Sequence, residues 1–401
     1  MNVLMLHNYY QQRGGEDASA EQDVALLRSH GHAVHFHPVH NDEIKDYSQY
    51  EKGALWFAPT WSRRSYRDVK SLIRGHKPDV VHVQNFFPLL SPSVLYACRE
   101  AGVPVVQTLR NYRLLAPCAL LMRENRVCER CIDGGLWNSI RYRCYHGSAL
   151  QTASIATMIA THRWLGTWDS MVDRYVALTE FSKNVFMRGG LFESRIVVRP
   201  NFLMHDPGTG YERRSGAVFV GRLSPEKGVV CLLEAWRALS EIPLTIIGDG
   251  PLAVWCADSV RVHSMRQVKL AGAKPSAETF EAIKRALFLV SPSVCYETFG
   301  RTIIEAFATG TPVLVSDIGA GASLVSDSVT GLHFEAGNAA DLAKKAREMV
   351  SDPDRLGTWG EAARREYPEK YTSEVAYGSL MRVYGDVTGG GRSSSPPGLR
   401  G

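Results

Sequence analysis

Short apolar runs alternate with helix-length segments along almost the whole chain. In the first half, "NVLMLH", "AVHFHPV", "PDVVHVQN", "PVVQTL", "DRYVALT" and "RIVVRPN" read as strands. A helix is predicted over about Ala18–Ser29, closed by Gly31, and another over "EFSKNVFMRGG". This strand–loop–helix rhythm implies a parallel sheet covered by helices. A charged Pro/Gly-rich stretch, "HDPGTGYERRSG", then interrupts the rhythm as a linker would. It restarts with the strands "AVFVG", "LTIIG", "LFLVSPS", "PVLVSD" and "GLHFEAG", separated by "VVCLLEAWRAL", "AETFEAIKRA", "TIIEAFAT" and "AADLAKKAREMV" as helices. The expectation is an α/β protein of two Rossmann-like, doubly wound domains facing across a ligand cleft. The boundaries read as 1–200 and 201–370, with 371–387 a helix returning to the first domain and 388–401 a disordered tail.

The length agrees: 401 residues exceed what one ordinary core accommodates. With 45% hydrophobic and 22% charged residues, disordered and fibrous classes are excluded. A net charge of +5 suits anionic substrates or a membrane surface, though plain solubility explains it as well. No nucleic-acid partner is expected. "MNVLMLHNYY" lacks the basic start and cleavage site of a signal peptide. No window reaches the about 18 uninterrupted apolar residues of a membrane span. "ALQTASIATMIATHRWLGTW" comes closest, and its threonines, Gln151, His162 and Arg163 make it an amphipathic helix. Core packing is its ordinary explanation and peripheral membrane contact the alternative. The expected location is the cytoplasm, with the inner face of the membrane as a variant. In that reducing compartment the scattered Cys98, Cys231, Cys256 and Cys295 read as small buried apolar residues.

Two stretches carry chemistry. In "VFVGRLSPEKGV" a strand ends at Val220, Gly221 turns the chain, and a helix opens beyond Gly228. Arg222 and Lys227 lie in that loop, at the carboxyl end of a strand, where a helix start adds free N–H groups. Two cations there suit a diphosphate; a solvated basic loop is the bland alternative. In "SPSVCYETFGRTIIEAF" seven residues separate Glu297 from Glu305. Glu297 falls in a crevice loop and Glu305 in the first turns of the next helix. A carboxylate only accepts hydrogen bonds, so each matches the hydroxyl donors of a sugar. Gly300 lets backbone N–H groups approach a ligand closely. A favourable acid near a helix start would also explain Glu305.

"GRLSPEKG" followed by "ETFGRTIIEAFATGTPV" closely resembles the retaining nucleotide-sugar glycosyltransferases of family four, with the GT-B fold and the E-x7-E motif. "GGED", Pro200–Asn201 and "VTGLHFEAGN" fit the same pattern, so the resemblance covers nearly the whole chain. It implies transfer of a hexose from a nucleotide-diphosphate sugar to a saccharide or lipid-linked acceptor, in cell-envelope or exopolysaccharide synthesis. Arg222 and Lys227 would hold the diphosphate, Glu305 the ribose and Glu297 the donor sugar. Backbone groups of Thr298, Phe299, Gly300 and Arg301 would assist. Gly14 and Gly15 would close over phosphate and acceptor, Asn201 would belong to the donor site, and Gly272 would flank the base. No metal is implied for catalysis, because cations and a helix dipole neutralise the leaving group.

The chain departs from the family in two places. Arg110 stands where many members carry a histidine; it would bind phosphate or an anionic acceptor, or form a structural ion pair. Ser323 stands where a glutamate is commoner. An insertion over about 116–147 holds Cys118, Cys128, Cys131 and Cys144, the number of thiolates a structural zinc needs. The resembling subgroup often has a cysteine at the position of Ala116, which leaves His146 as an alternative to Cys118. The insertion also carries Trp137, Arg141 and Arg143 in the half that selects the acceptor. Rival readings are a GT-B partner subunit without turnover, a GT-B epimerase or phosphorylase, and a dinucleotide oxidoreductase. The last would want G-x-G-x-x-G in its first strand–helix turn, where this chain has "RGGED".

Overall fold

A computed structural model describes residues 1–11, 14–46, 56–211 and 214–389. The tail from residue 390 on and linker residues 212–213 lie outside the described residues.

Strands β1 (Asn2–Tyr9), β2 (Ala33–His40), β3 (Val80–Asn85) and β4 (Val105–Thr108) come first. A small hairpin follows in the insertion, β5 (Met122–Arg123) and β6 (Arg126–Val127), and then β7 (Arg174–Ala177) and β8 (Ile196–Val198). Without the hairpin these strands form one sheet in the order β2-β1-β3-β4-β7-β8, all pairs parallel. All six residues of β3 are buried, as expected of a strand covered on both faces. Helix α1 (Gly15–Ser29) follows β1 and begins three residues earlier than the sequence pattern predicts. Its first turn is closed by Asp17, whose carboxylate accepts from the Gly14 N–H at 3.0 Å.

The second half holds β9 (Ala217–Val220), β10 (Leu244–Ile247), β11 (Val268–Gly272), β12 (Phe288–Ser291), β13 (Val313–Ser316) and β14 (Gly331–Phe334). Their order is β11-β10-β9-β12-β13-β14, again parallel. Separate apolar clusters fill its two faces, one around Trp236, Phe288 and Phe334, the other around Leu289, Phe307 and Tyr367. The architecture is GT-B: two Rossmann-like sheets, each with its own core.

Helix Ser373–Thr388 lies on the first sheet, packing Leu380, Val383 and Tyr384 against Val3, Met5, Val80 and Val106. The Tyr384 hydroxyl and the Thr108 hydroxyl each meet a ring nitrogen of His82 at 2.7 Å. Burial drives the His82 pKa down to about 3, so the ring is neutral in this network. The preceding helix, Pro353–Lys370, buries one face through Leu356, Trp359, Gly360, Ala363 and Tyr367 and contains Gly357 and Pro368 as well. Gly360 is needed there because a Cβ would stand 2.5 Å from the Gly310 carbonyl. In the insertion, helices Arg130–Asp133 and Trp137–Arg141 are short. Helix Ala149–Trp164 buries Ile155, Met158 and Ile159 in the first core. Among the described residues no helix is long and apolar enough to cross a membrane.

Candidate active site

In the second sheet the strand order reverses between β9 and β12. Loops leaving those two strands therefore diverge and open a crevice at the sheet's carboxyl edge. The β9 loop ends in a turn, Pro225–Lys227, and then Gly228 at φ +69°. A Cβ there would come within 1.7 Å of the Pro292 carbonyl in the β12 loop, so only glycine permits this approach. The N–H of Val294 also donates to the Glu226 carbonyl at 3.0 Å. These backbone contacts bring Lys227 Nζ to 2.9 Å from Glu297 Oε1. Partial burial alone would lower the Lys227 pKa, but the Glu297 carboxylate outweighs it and raises the value. The Ser293 hydroxyl donates to the same carboxylate. Beside Glu297 a small cavity of about 10 Å³, room for about one water, is lined by Ser293, Cys295, Glu297 and Ser316. The buried Ser316 hydroxyl has no hydrogen-bond partner among the described residues. Arg222 is exposed on the β9 loop. A larger groove beside Pro312, Leu356 and Gly360 lies away from both loops; its Arg364 is already paired with Asp206.

Helix Arg301–Ala308 starts at Gly300. Glu305 is largely buried and pairs with Arg301 Nε at 3.2 Å. Burial raises its pKa, with Arg301 pulling the other way. With the Gln22 amide oriented to satisfy both neighbours, it accepts from Arg301 Nη2 at 2.8 Å and donates to the Phe202 carbonyl at 3.2 Å. Phe299 is buried in the second core, so its side chain anchors the loop and only its backbone is available to a ligand. At Gly300 a Cβ would meet the Ile303 Cδ1 methyl at 2.5 Å, so a larger residue there would push that side chain aside.

The β12 loop also touches the first half. Thr298 Oγ1 donates to the Arg110 carbonyl at 2.7 Å, and the Tyr112 hydroxyl donates to the Glu297 carbonyl at 3.3 Å. Thr179 Oγ1 donates to the Thr298 carbonyl at 3.3 Å, and Phe181 meets Tyr296 edge-on at 4.8 Å. These contacts were not read from the sequence. Nothing in the spacing of Tyr112 or Thr179 marks them as partners of a loop more than a hundred residues away.

Other expected site residues lie elsewhere. Arg110 is buried: its guanidinium donates to Gln84 at 2.8 Å, Asn201 at 3.1 Å and Asp23 at 3.0 Å. The structural ion pair is therefore its place, and its backbone, not its charge, faces the donor loop. Asn201 belongs to the same buried network. Arg199 completes it, donating to Asp23 at 2.7 Å and to the Ala376 carbonyl at 3.1 Å. Gly272 ends β11, two strands from the switch point. Gly14 and Gly15 are exposed, and a Cβ on either would meet nothing within 4 Å. The Ser323 hydroxyl turns back to the Ala320 carbonyl at 2.8 Å. Cys118, Cys128, Cys131 and Cys144 are close enough that neighbouring thiols add to the effect of burial on Cys131 and Cys144, whose pKa values rise to about 12 and about 11. Among the described residues, however, no group of three or more His, Cys, Asp or Glu side chains is arranged to hold a metal ion.

Both halves of the chain match known proteins. Residues 207–366 match the family model for glycosyl transferases group 1, and residues 24–206 match that for glycosyltransferase family 4. The chain is 23% identical over 396 residues to an uncharacterised glycosyltransferase of Methanocaldococcus jannaschii, covering 97% of this chain and 99% of that one. It is 26% identical over 330 residues to a GDP-mannose-dependent alpha-mannosyltransferase of Corynebacterium glutamicum, covering 80% and 70%. The solved structure of HepE from Anabaena, in complex with UDP and glucose, matches with a TM-score of 0.67 at 16% identity, covering 95% and 98%. Fold and matches together define a GT-B glycosyltransferase. Within that class, the chain belongs to the family-four nucleotide-sugar glycosyltransferases.

The buried network yields a stability prediction. Burial would raise the Asp23 pKa, but Arg199 and Arg110 overcome that and hold it below the usual range. A depressed carboxylate stabilises the fold above its unfolded pKa of about 3.9 and loses that contribution as pH falls through the lower folded value. Asp23→Ala is expected to lower unfolding free energy by about 3–5 kcal/mol at pH 7, because it strands two buried guanidiniums. Urea unfolding of both proteins checks this; equal midpoints and slopes contradict it.

Proposed function

We propose that the protein transfers a hexose from a nucleotide-diphosphate sugar to a saccharide or lipid-linked acceptor, with retention, in cell-envelope or exopolysaccharide synthesis. The observation that carries this reading is the Lys227–Glu297 pair at the switch point, held there by the Gly228–Pro292 approach and the Val294–Glu226 backbone bond. A nucleotide-sugar donor is supported by the GDP-mannose-dependent relative and by UDP in the HepE complex.

In this reading Lys227 turns from Glu297 to the donor diphosphate, Arg222 joins it, and Glu297 is released to accept from the sugar hydroxyls. Glu305 accepts from the ribose. The acceptor oxygen bonds to the anomeric carbon as the bond from that carbon to the diphosphate oxygen breaks. The acceptor proton passes to the leaving phosphate. The protein's work is orientation and stabilisation of negative charge on the leaving group, with no metal in the step. Peripheral contact with a membrane is supported by Leu150, Trp137 and Trp164, which are 69%, 71% and 85% exposed.

Charge competition makes the reading testable. Lys227→Ala and Arg222→Ala are each expected to weaken nucleoside diphosphate binding about tenfold or more, as loss of a charge-assisted bond requires. Glu305→Ala is expected to weaken it also. Glu297→Gln removes the competitor of the phosphates, and is expected to tighten diphosphate binding roughly threefold while abolishing transfer. Calorimetric titration with UDP and GDP decides; wild-type affinity in Lys227→Ala contradicts the reading.

Structural zinc on the cysteine cluster is a separate proposal. It rests on the thiol count and spacing and on the nearness of the four thiols. Near-stoichiometric zinc in protein purified without added metal or chelator is the expected result; folded, zinc-free protein overturns it.

A further inference from the structure

The first sheet has a switch point of its own, between β1 and β3. Open α/β sheets bind ligands outside the carboxyl ends of strands at such a point. Four polar residues stand there: Tyr10 just past β1, Glu16 in the first turn of α1, Asn85 ending β3, and Asn111 just past β4. Asn111 Nδ2 lies 3.2 and 3.3 Å from the two Glu16 carboxylate oxygens and 3.3 Å from the Tyr10 hydroxyl. Glu16 makes no ion pair within 4 Å of a described residue, while Asp17 beside it is hydrogen-bonded to His7 Nε2 at 2.8 Å. The group also lies beside the donor loop. Asn111 falls between Arg110, whose carbonyl accepts from Thr298, and Tyr112, whose hydroxyl reaches the Glu297 carbonyl.

A carboxylate with no ion-pair partner among the described residues, held by an amide next to Arg110 and Tyr112 and close to a phenol, matches the hydroxyl pattern of a sugar. We propose that this group is the acceptor subsite and that the Glu16 carboxylate accepts the hydrogen bond of the hydroxyl that attacks the donor sugar. The proposal rests on the glycosyl-transfer reading and adds the residue that orients the nucleophile. The proton still ends on the leaving phosphate, so Glu16 is regenerated without a further reactant.

The surroundings predict a pH signature. Burial raises the Glu16 pKa to about 7, opposed by Arg110, Asn111 and Arg113 and reinforced by Asp17. The Tyr10 phenol also faces it, with its own pKa raised by burial and by Glu16. Glu16 is therefore protonated below neutrality and a full acceptor above it.

The test uses the full chain, with UDP-glucose and GDP-mannose as donors and water and methyl hexopyranosides as acceptors. Glu16→Gln is expected to bind UDP and GDP within about twofold of wild type, and to release diphosphate at least about thirtyfold more slowly. Wild-type release is expected to rise about tenfold from pH 6 to pH 8, and the variant's profile to be flat. Glu16→Asp should recover part of the rate. Asn111→Ala, a second variant, should lower release yet keep the rise with pH. Release in Glu16→Gln within about twofold of wild type, with the same pH rise, overturns the proposal. Loss of nucleotide binding in that variant also overturns it, by assigning Glu16 to the donor. A wild type that binds no nucleotide and releases no diphosphate fails the parent reading, and this one with it.

Discussion

Lys227 meets Glu297 because the second sheet reverses its strand order between β9 and β12. The two loops cannot pair as strands there, so they part and leave a crevice. Gly228 and the Val294–Glu226 backbone bond then set how far they part. A cation and a carboxylate placed so close neutralise each other in the free protein. In the proposed reaction an incoming diphosphate would replace the carboxylate as the partner of Lys227, so that ligand binding and release of Glu297 toward the sugar would be one event.

The β12 loop also joins the two halves. Thr298, Glu297 and Tyr296 carry contacts to the first half through Arg110, Tyr112 and Phe181. Behind them, Asp23 gathers Arg110, Arg199 and Gln84 from three separate segments, and Arg199 reaches the returning helix at Ala376. That buried network fixes where the chain crosses between domains. Motion between the halves would be absorbed at the exposed loops, since breaking the network leaves guanidiniums buried without partners.

Much of the fold was legible in the sequence, because each strand of a covered parallel sheet is a short apolar run bounded by polar turns. The site's backbone was legible for a related reason: Gly221, Gly228 and Gly300 mark turns, and the Lys and Glu stand at fixed distances from them. Side-chain direction was not. Arg110 and Asn201 looked available to a donor, yet a carboxylate on α1 claims both regions of chain. Asp23 sits one helical turn from ordinary apolar positions, and no local pattern shows that it faces two arginines. Helix Pro353–Lys370 was hidden by Gly357, Gly360 and Pro368, of which Gly360 is set by its close approach to Gly310. Glu16 was visible only as part of "GGED"; its amide partner Asn111 lies 95 positions away.

The central claim is that the donor diphosphate docks at the reversal between β9 and β12 and takes Lys227 from Glu297. A crystal structure with a saturating nucleoside diphosphate tests it most directly. The account predicts a phosphate oxygen about 3 Å from Lys227 Nζ, with Glu297 turned away from the lysine. Nucleotide bound elsewhere, with the Lys227–Glu297 pair intact, would contradict it.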